Sequence, residues 1–173
     1  GQKILPLIRK YTSKPLILVL THAHIDHWYH MDEFETVYMC HREFEVGPDA
    51  LRDMMADKDL CPERTLDIHT DTRIELGGTS LSICEVPGHT PGSVVVLDER
   101  SNRLFTGDAI GSGYGVWMQT PTAVPLETYY ESLVHLLKWL VDRGGRMSFH
   151  GGHRYQMFQS THVPSFNPLS LGL

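Results

Sequence analysis

The segment Thr21-His22-Ala23-His24-Ile25-Asp26-His27 places three imidazoles and one carboxylate within six consecutive positions. It directly follows the apolar run Leu16 to Leu20, which is typical of a buried strand. His22 and His24 point to the same side if the backbone stays extended and can hold one metal ion, whereas Asp26 and His27, at a turn into a helix, can face a second ion. The spacing therefore indicates two neighbouring metal ions at the carboxyl end of a strand, where open α/β sheets bind ligands.

Three further residues of metal-binding type follow predicted strands. His89, Asp108 and His153 come just after runs predicted to end at residues 86, 106 and 149. A lone histidine is most often structural or exposed to solvent, so no single one of these residues would indicate a metal site. Four strand ends that all present such residues form a pattern that chance alone explains poorly.

Four motifs in order resemble the metallo-β-lactamase superfamily. They are His-x-His-x-Asp-His at 22–27, Pro-Gly-His-Thr-Pro-Gly-Ser at 87–93, Phe-Thr-Gly-Asp at 105–108 and Gly-His at 152–153. The first two are specific, whereas the last two would be weak alone. The resemblance runs from about residue 1 to residue 155 and implies an α/β fold, the αββα sandwich, with the active site at one edge.

The resemblance also implies a division of the ligands between two metals. Metal one would be held by His22, His24 and His89, metal two by Asp26, His27 and His153, and Asp108 would bridge them. His150 also follows the last predicted strand, but the pattern Gly-His-x-Tyr favours His153 as the ligand by about three to one. Nitrogen-rich ligands favour zinc, while the carboxylates also admit iron or manganese.

The implied activity is hydrolysis of a small-molecule ester, thioester, lactone or related bond. A water bridging both metals would supply hydroxide near neutral pH, and we expect Asp26 and Asp108 to take part in catalysis. The bridging Asp108 resembles glyoxalase II-like and lactonase-like members more than true β-lactamases. Two alternatives stay open: an iron-dependent oxidoreductase similar to sulfur dioxygenases, and a non-catalytic metal-binding fragment.

The composition limits the remaining function classes. The chain has 173 residues and a net charge of −6, without a basic patch, so a nucleic-acid partner is not expected. Its three cysteines have no Cys-x-x-Cys spacing, which disfavours both disulfides and thiolate zinc sites and favours a cytoplasmic location. No apolar run is long enough to span a membrane. We expect one domain over 1–173, with a tail at 156–173 that lacks periodicity.

Hydrophobic periodicity predicts the elements that position these residues. The most regular is a helix from Leu126 to Leu140, which Gly144 and Gly145 would end. Other helices are predicted at 2–11, from the histidine segment to about 34, and at 49–57. Strands are predicted at 16–20, 36–40 and 147–149, and consecutive antiparallel strands at 65–69, 73–76, 79–86, 93–97 and 103–106.

The chain departs from the family pattern in two places. Trp28-Tyr29-His30 stands where many members have small residues, and we expect the two aromatic rings to pack rather than to bind substrate, by about two to one. The family's first antiparallel strands have no counterpart before Leu16. This predicts either a fragment of a longer protein, which we favour, or a homo-oligomer in which a partner chain covers the sheet edge. Tyr114 and Trp117, in or after a glycine-rich loop, are candidates for the rim of the pocket.

Overall fold

The computed structural model describes residues 2–46, 61–110 and 115–153. The helices are α1 (Leu5–Ile8), α2 (Ile25–Trp28) and α3 (Leu126–Asp142), with short 3-10 helices at Met31–Glu33, His41–Glu45 and Pro62–Arg64. The strands are β1 (Leu18–Val19), β2 (Val37–Met39), β3 (Leu66–Asp67), β4 (Arg73–Glu75), β5 (Ser80–Glu85), β6 (Val94–Asp98), β7 (Arg103–Gly107) and β8 (Ser148–Gly151).

The strands form two sheets. The first has the order β1-β2-β3 and is parallel, with Leu18 opposite Val37 and Tyr38 opposite Leu66. The second has the order β4-β5-β6-β7-β8, in which the first four strands run antiparallel and β8 pairs parallel with β7. The long helix α3 provides the crossover that a parallel β7–β8 pair requires.

The prediction that residues 65–69 begin the antiparallel series was wrong. Leu66 and Asp67 pair in parallel with β2 of the other sheet. The Asp67 carboxylate accepts a hydrogen bond from the backbone N–H of His41 at 2.8 Å, which further ties β3 to the segment after β2. Alternation of residue types predicts a strand but carries no information about its partner or direction.

The side chains of each strand alternate between its two faces, so the core consists of three apolar clusters that lie between four layers of helices and sheets. In β6, Val94 and Val96 face the first sheet, whereas Val95 and Leu97 face α3. In β2, Val37 and Met39 pack towards α2 instead, with Trp28 and Met31. A strand buried on both faces needs apolar residues at every position, as the run Val94 to Leu97 has. The order helix, sheet, sheet, helix confirms the predicted αββα sandwich.

The predicted long helix is confirmed, and the earlier helices are shorter than predicted. Helix α3 buries Leu136, Trp139 and Leu140 against the five-stranded sheet and is followed by Gly144 and Gly145, both with positive φ. Helix α1 has a single turn with no buried residue. Helix α2 ends at Trp28 and passes into a 3-10 turn. The helix predicted at 49–57 lies outside the described residues, as do Tyr114 and the tail at 156–173.

All three cysteines are free thiols, as expected from their spacing. Within the described ranges, no helix has both the length and the apolarity needed to cross a membrane. The described segment from residue 2 to β1 contains α1 and no strand, and β1 stands at one end of its sheet among the described strands.

Candidate metal centre

The first histidine segment has the backbone that its spacing predicts. His22 follows β1, and His24 is still extended, with φ −73° and ψ 141°, before α2 starts at Ile25. The helical turn then places Asp26 and His27 on the side of the remaining histidines, with the His22 and His27 ring centroids 4.1 Å apart.

The other three residues are carried to the same place by the ends of β5, β7 and β8. His89 lies in the turn between β5 and β6, and the backbone N–H of Val94 just after this turn donates to the carbonyl of Thr21 at 2.9 Å. Asp108 and His153 follow β7 and β8, which are joined beyond their ends by a hydrogen bond from the N–H of Gly152 to the carbonyl of Gly107 at 3.0 Å. All seven residues singled out from the sequence therefore meet at one edge of the sandwich.

His22, His24 and His89 form one group whose ligand atoms lie within 4.8 Å of one another. Nε2 of His89 is 2.9 Å from Nδ1 of His24. The Nδ1–H of His89 donates to the carbonyl of Trp117 at 2.6 Å, and Nε2 of His24 lies 3.3 Å from the hydroxyl of Thr122. When both outer nitrogens carry the proton, the inner nitrogens present two lone pairs to each other, and a bound cation would satisfy both.

Asp26, His27 and His153 form a second group of the same kind. The Oδ2 atom of Asp26 lies 3.7 Å from Nε2 of both His27 and His153. This group is more open than the first, since the side chains of Asp26 and His153 are 57% and 33% exposed, whereas those of His22 and His89 are almost fully buried. Among the described residues, the second group is therefore the more accessible side of the centre.

Asp108 lies between the two groups. Its Oδ2 atom is 3.0 Å from Nε2 of His153, 3.7 Å from that of His27 and 3.8 Å from that of His89. It also forms a third compact group with His22 and His27. The carboxylate is thus within reach of ions held by either group.

Two buried nitrogen atoms indicate whether these histidines and aspartates are suited to binding metal ions. Nε2 of His22 and Nε2 of His27 are inaccessible to solvent and have no hydrogen-bond partner among the described residues. A buried imidazole nitrogen without a partner is costly, whereas the same nitrogen as a metal ligand is satisfied. The arrangement therefore fits metal ligation better than a hydrogen-bonded histidine cluster.

The electrostatics of the cluster favour the neutral form of His22 and of His24 and the charged form of Asp108. Burial lowers the pKa of His22 well below its usual value, and the neighbouring His27, His89 and His24 lower it further. Burial and His89 lower the pKa of His24 to about 4. Burial would raise the pKa of Asp108, but contacts with the surrounding histidines outweigh it and hold that pKa below its usual range. These are the protonation states that metal ligands need.

The structure places His153 in the centre and His150 outside it. His150 lies on β8, with Nε2 3.1 Å from the hydroxyl of Ser148 and its ring beside Phe105. Gly152 allows the close approach of the last strand, because a Cβ atom there would lie 2.7 Å from Oδ1 of Asp108 and 2.7 Å from Cε1 of His27. The geometry agrees with the preference for His153.

Several contacts that support the centre had not been predicted from the sequence. Thr21 approaches Nδ1 of His22 at 3.2 Å, Thr122 contacts His24, and the main chain of Trp117 orients His89. Isolated threonines carry no recognisable signal, and a backbone carbonyl carries none at all. Trp28 is buried and its indole N–H donates to the carbonyl of Ala23, so the prediction that it packs is confirmed, whereas Tyr29 and Trp117 are 42% and 68% exposed.

A four-layered fold with histidine and aspartate clusters at one edge defines a class of metal-binding α/β proteins. The model of the metallo-β-lactamase superfamily matches residues 12–153. The chain belongs to this superfamily.

Individual relatives are distant. The chain is 28% identical to the probable metallo-hydrolase YqgX of Bacillus subtilis, over 99% of this chain and 85% of the relative. It is also 28% identical to the human acyl-coenzyme A thioesterase MBLAC2, over 76% of this chain and 53% of the relative. A mycobacterial relative is likewise matched over 59% of its length, so the chain spans little more than half of several curated relatives. The structure of TTHA1623 in a di-iron-bound form resembles it with a TM-score of 0.64 and 22% identity, over 97% of this chain and 81% of that chain.

Proposed function

We propose that the chain is a dinuclear metal-dependent hydrolase that acts on a small-molecule ester, thioester or lactone. The observation that carries this proposal is the position of the Asp108 carboxylate, whose Oδ2 atom lies 3.7 Å from His27 and 3.8 Å from His89. One carboxylate within reach of two histidine groups is suited to two metal ions about 3.5–4 Å apart, the spacing of two-metal hydrolytic sites.

The ligand sets follow from the groups that the fold brings together. His22, His24 and His89 would hold metal one, Asp26, His27 and His153 would hold metal two, and Asp108 would join them. Three nitrogen ligands at the buried site favour zinc there. The carboxylates around the second site also suit iron or manganese.

Bound divalent ions would polarise a substrate carbonyl and lower the pKa of a bound water towards about 7. Asp108 remains ionised at neutral pH because its pKa is lowered, so it can accept a hydrogen bond from that water and orient it. The exposed carboxylate of Asp26 lies at the open side, where the substrate would arrive. Because the bound water would serve as the nucleophile, hydrolysis would need no covalent intermediate on the protein.

The names of two relatives support hydrolysis, and one of the two names an acyl substrate. MBLAC2 is named an acyl-coenzyme A thioesterase and YqgX a probable metallo-hydrolase, and we extend this class of reaction to the present chain. A thioester is therefore the first substrate to test, followed by a lactone and a simple ester.

A second candidate function is a metal-dependent oxidoreductase. The structural similarity to a protein in a di-iron-bound form favours it, because histidine and carboxylate ligands also hold iron. Hydrolysis requires no redox change of the metal, so oxygen consumption separates the two functions.

The test is a panel of thioester, lactone, ester and phosphodiester substrates with zinc-loaded and with iron-loaded protein. Metal content and oxygen uptake are measured on the same samples. We expect hydrolysis of at least one acyl substrate, without oxygen uptake, and loss of that activity in Asp108→Asn. Oxygen uptake with iron and no hydrolysis with either metal would refute the proposal in favour of the oxidoreductase. Full metal loading without either activity would favour a non-catalytic fragment.

A further inference from the structure

Glu43 is an acidic residue inside the protein, close to the metal centre but outside its ligand groups. It lies in the 3-10 helix His41–Glu45, directly after β2, and its side chain is completely buried. No ion pair links it to a Lys, Arg or His in the described part of the chain, and its Oε2 atom has no hydrogen-bond partner there. A leucine or methionine of similar volume would avoid the cost of burying this carboxyl group.

One oxygen of Glu43 is tied to the loop that carries His89. The hydroxyl of Thr90 donates to Oε1 of Glu43 at 2.5 Å and lies 2.7 Å from the hydroxyl of Ser93. The Ser93 hydroxyl in turn accepts a hydrogen bond from the backbone N–H of Thr90. The turn that begins with His89 is therefore closed by two hydroxyl groups and anchored on Glu43.

The same carboxyl group faces the loop that carries His22 and His24. Burial raises the pKa of Glu43 to about 7, while the Thr90 hydroxyl and the backbone N–H groups of Ala23 and Gly92 act in the opposite direction. Ala23 is the residue between the two histidines. The N–H groups of Ala23 and Gly92 lower the pKa of Glu43, although neither donates a hydrogen bond to Oε2.

Glu43 packs closely against the loop that carries His89. A Cβ atom at position 92 would lie 2.6 Å from Cγ of Glu43 and 2.7 Å from its backbone nitrogen, so only glycine lets the loop approach this closely. Glu43 therefore contacts the loop of His89 at Thr90 and Gly92, and its carboxyl group faces the loop of His22 and His24 at Ala23.

We propose that Glu43 is a positioning residue that holds the loop of His22 and His24 at a fixed distance from the loop of His89, and thereby sets the metal affinity of this group. It touches neither the proposed ligands nor the reacting atoms, and acts through Thr90 and Ala23. The inference rests on the proposed metal centre, because it assumes that these three histidines bind metal.

Glu43→Gln tests the proposal with little change in size. An amide that accepts from Thr90 turns its NH₂ group towards the N–H groups of Ala23 and Gly92, so that donor faces donor, and the reverse orientation removes the acceptor for Thr90. Either orientation therefore makes the contact with one of the two loops unfavourable. We expect zinc affinity, measured by competition with a chromophoric chelator, to fall at least tenfold. Glu99→Gln is the control, because the carboxylate of Glu99 likewise accepts from side-chain hydroxyl groups, those of Ser80 and Ser82, but follows the far end of β6.

Thermal unfolding with and without zinc distinguishes a purely structural role of Glu43 from a positioning role. A purely structural role would lower the Tm of both forms equally and leave the zinc-induced rise in Tm unchanged, whereas loss of a positioning role reduces that rise because it weakens binding to the folded state. Thr90→Val and Thr90→Ser provide a second pair: we expect weaker zinc binding in the valine variant and restoration by serine.

Two results would overturn this inference. One is a zinc affinity of Glu43→Gln equal to that of Glu99→Gln, and the other is equal zinc binding by the valine and serine variants at position 90. If the wild-type chain itself binds no zinc, iron or manganese, the proposed function fails instead. The two failures are therefore distinguishable in the same set of titrations.

Discussion

Nε2 of His89 lies 2.9 Å from Nδ1 of His24, although 65 positions separate the two residues in the chain. The opposite nitrogen of each ring contacts the segment around Trp117 and Thr122, so the two facing nitrogens are placed where one ion could bind both. This pair shows how the ends of β1 and β5 meet to form one half of the candidate centre.

The first prediction concerns the choice of the last ligand. His153→Ala is expected to lower the metal content from two ions per chain to about one, because it removes a nitrogen from the more exposed group. His150→Ala should leave the metal content unchanged, since His150 contacts Ser148 and Phe105 instead. Elemental analysis of both variants after dialysis measures this difference. A loss of metal in His150→Ala alone would reverse the assignment.

The second prediction concerns the glycine beneath the centre. Gly152→Ala brings a Cβ atom to 2.7 Å from both Oδ1 of Asp108 and Cε1 of His27, so one of these side chains must move. We expect metal affinity to fall more than tenfold.

Gly78→Ala is the control for this substitution, because no atom lies within 4 Å of a Cβ at that turn position and its φ is not positive. Isothermal titration of both metal-free variants with zinc provides the comparison. Equal affinities would show that the approach of the last strand does not matter.

The third prediction concerns the aromatic pair after the histidine segment. Trp28→Ala should destabilise the fold by about 3–5 kcal/mol, since it empties a fully buried site that also contains Met31 and Met39. Tyr29→Ala should change the free energy of unfolding by less than about 1 kcal/mol, because Tyr29 is 42% exposed. Urea unfolding of the metal-free variants measures both values. Similar losses would contradict the different burial of the two rings.

The fourth prediction concerns pH. The pKa of Glu43 is about 7 in the folded protein, above the value near 4.5 expected on unfolding. A raised pKa means that the folded state binds the proton more tightly, so this residue's contribution to stability is present below pH 4.5 and is lost as pH rises to about 7. The slope is at most about 1.4 kcal/mol per pH unit.

Glu43→Gln cannot titrate, so the free energy of unfolding of this metal-free variant should rise relative to wild type between pH 4.5 and pH 7. Urea unfolding at several pH values in this window measures the difference. A difference that does not depend on pH would show that Glu43 ionises in the folded protein as it does in the unfolded one.

Most of the candidate site could be predicted from the sequence because its residues are local to strand ends. In the segment 22–27, the spacing of the histidines and the aspartate determines where their side chains point, because an extended strand and a helical turn each fix the direction of successive side chains. His89, Asp108 and His153 each follow an apolar run, so the sheet brings them together. Seven side chains could thus be predicted without any tertiary information.

The contacts that hold this site in place could not be predicted in the same way. The link from Glu43 to Thr90 joins positions 47 residues apart, and a single buried glutamate looks like a surface residue until its neighbours are known. The pairing of Leu66 with Tyr38 is similar, because two-residue strands carry too little pattern to specify a partner. Long-range packing, rather than local propensity, decides both.

The central claim is that Asp108 joins two metal ions in one catalytic centre. The most direct measurement is the metal content and thioesterase activity of zinc-loaded wild type and Asp108→Asn, determined on the same preparations. The account predicts two zinc ions per wild-type chain, with hydrolysis, and loss of at least one ion together with nearly all activity in the variant. A wild-type chain that binds no more than one ion, or a variant that keeps both ions and full activity, would contradict it.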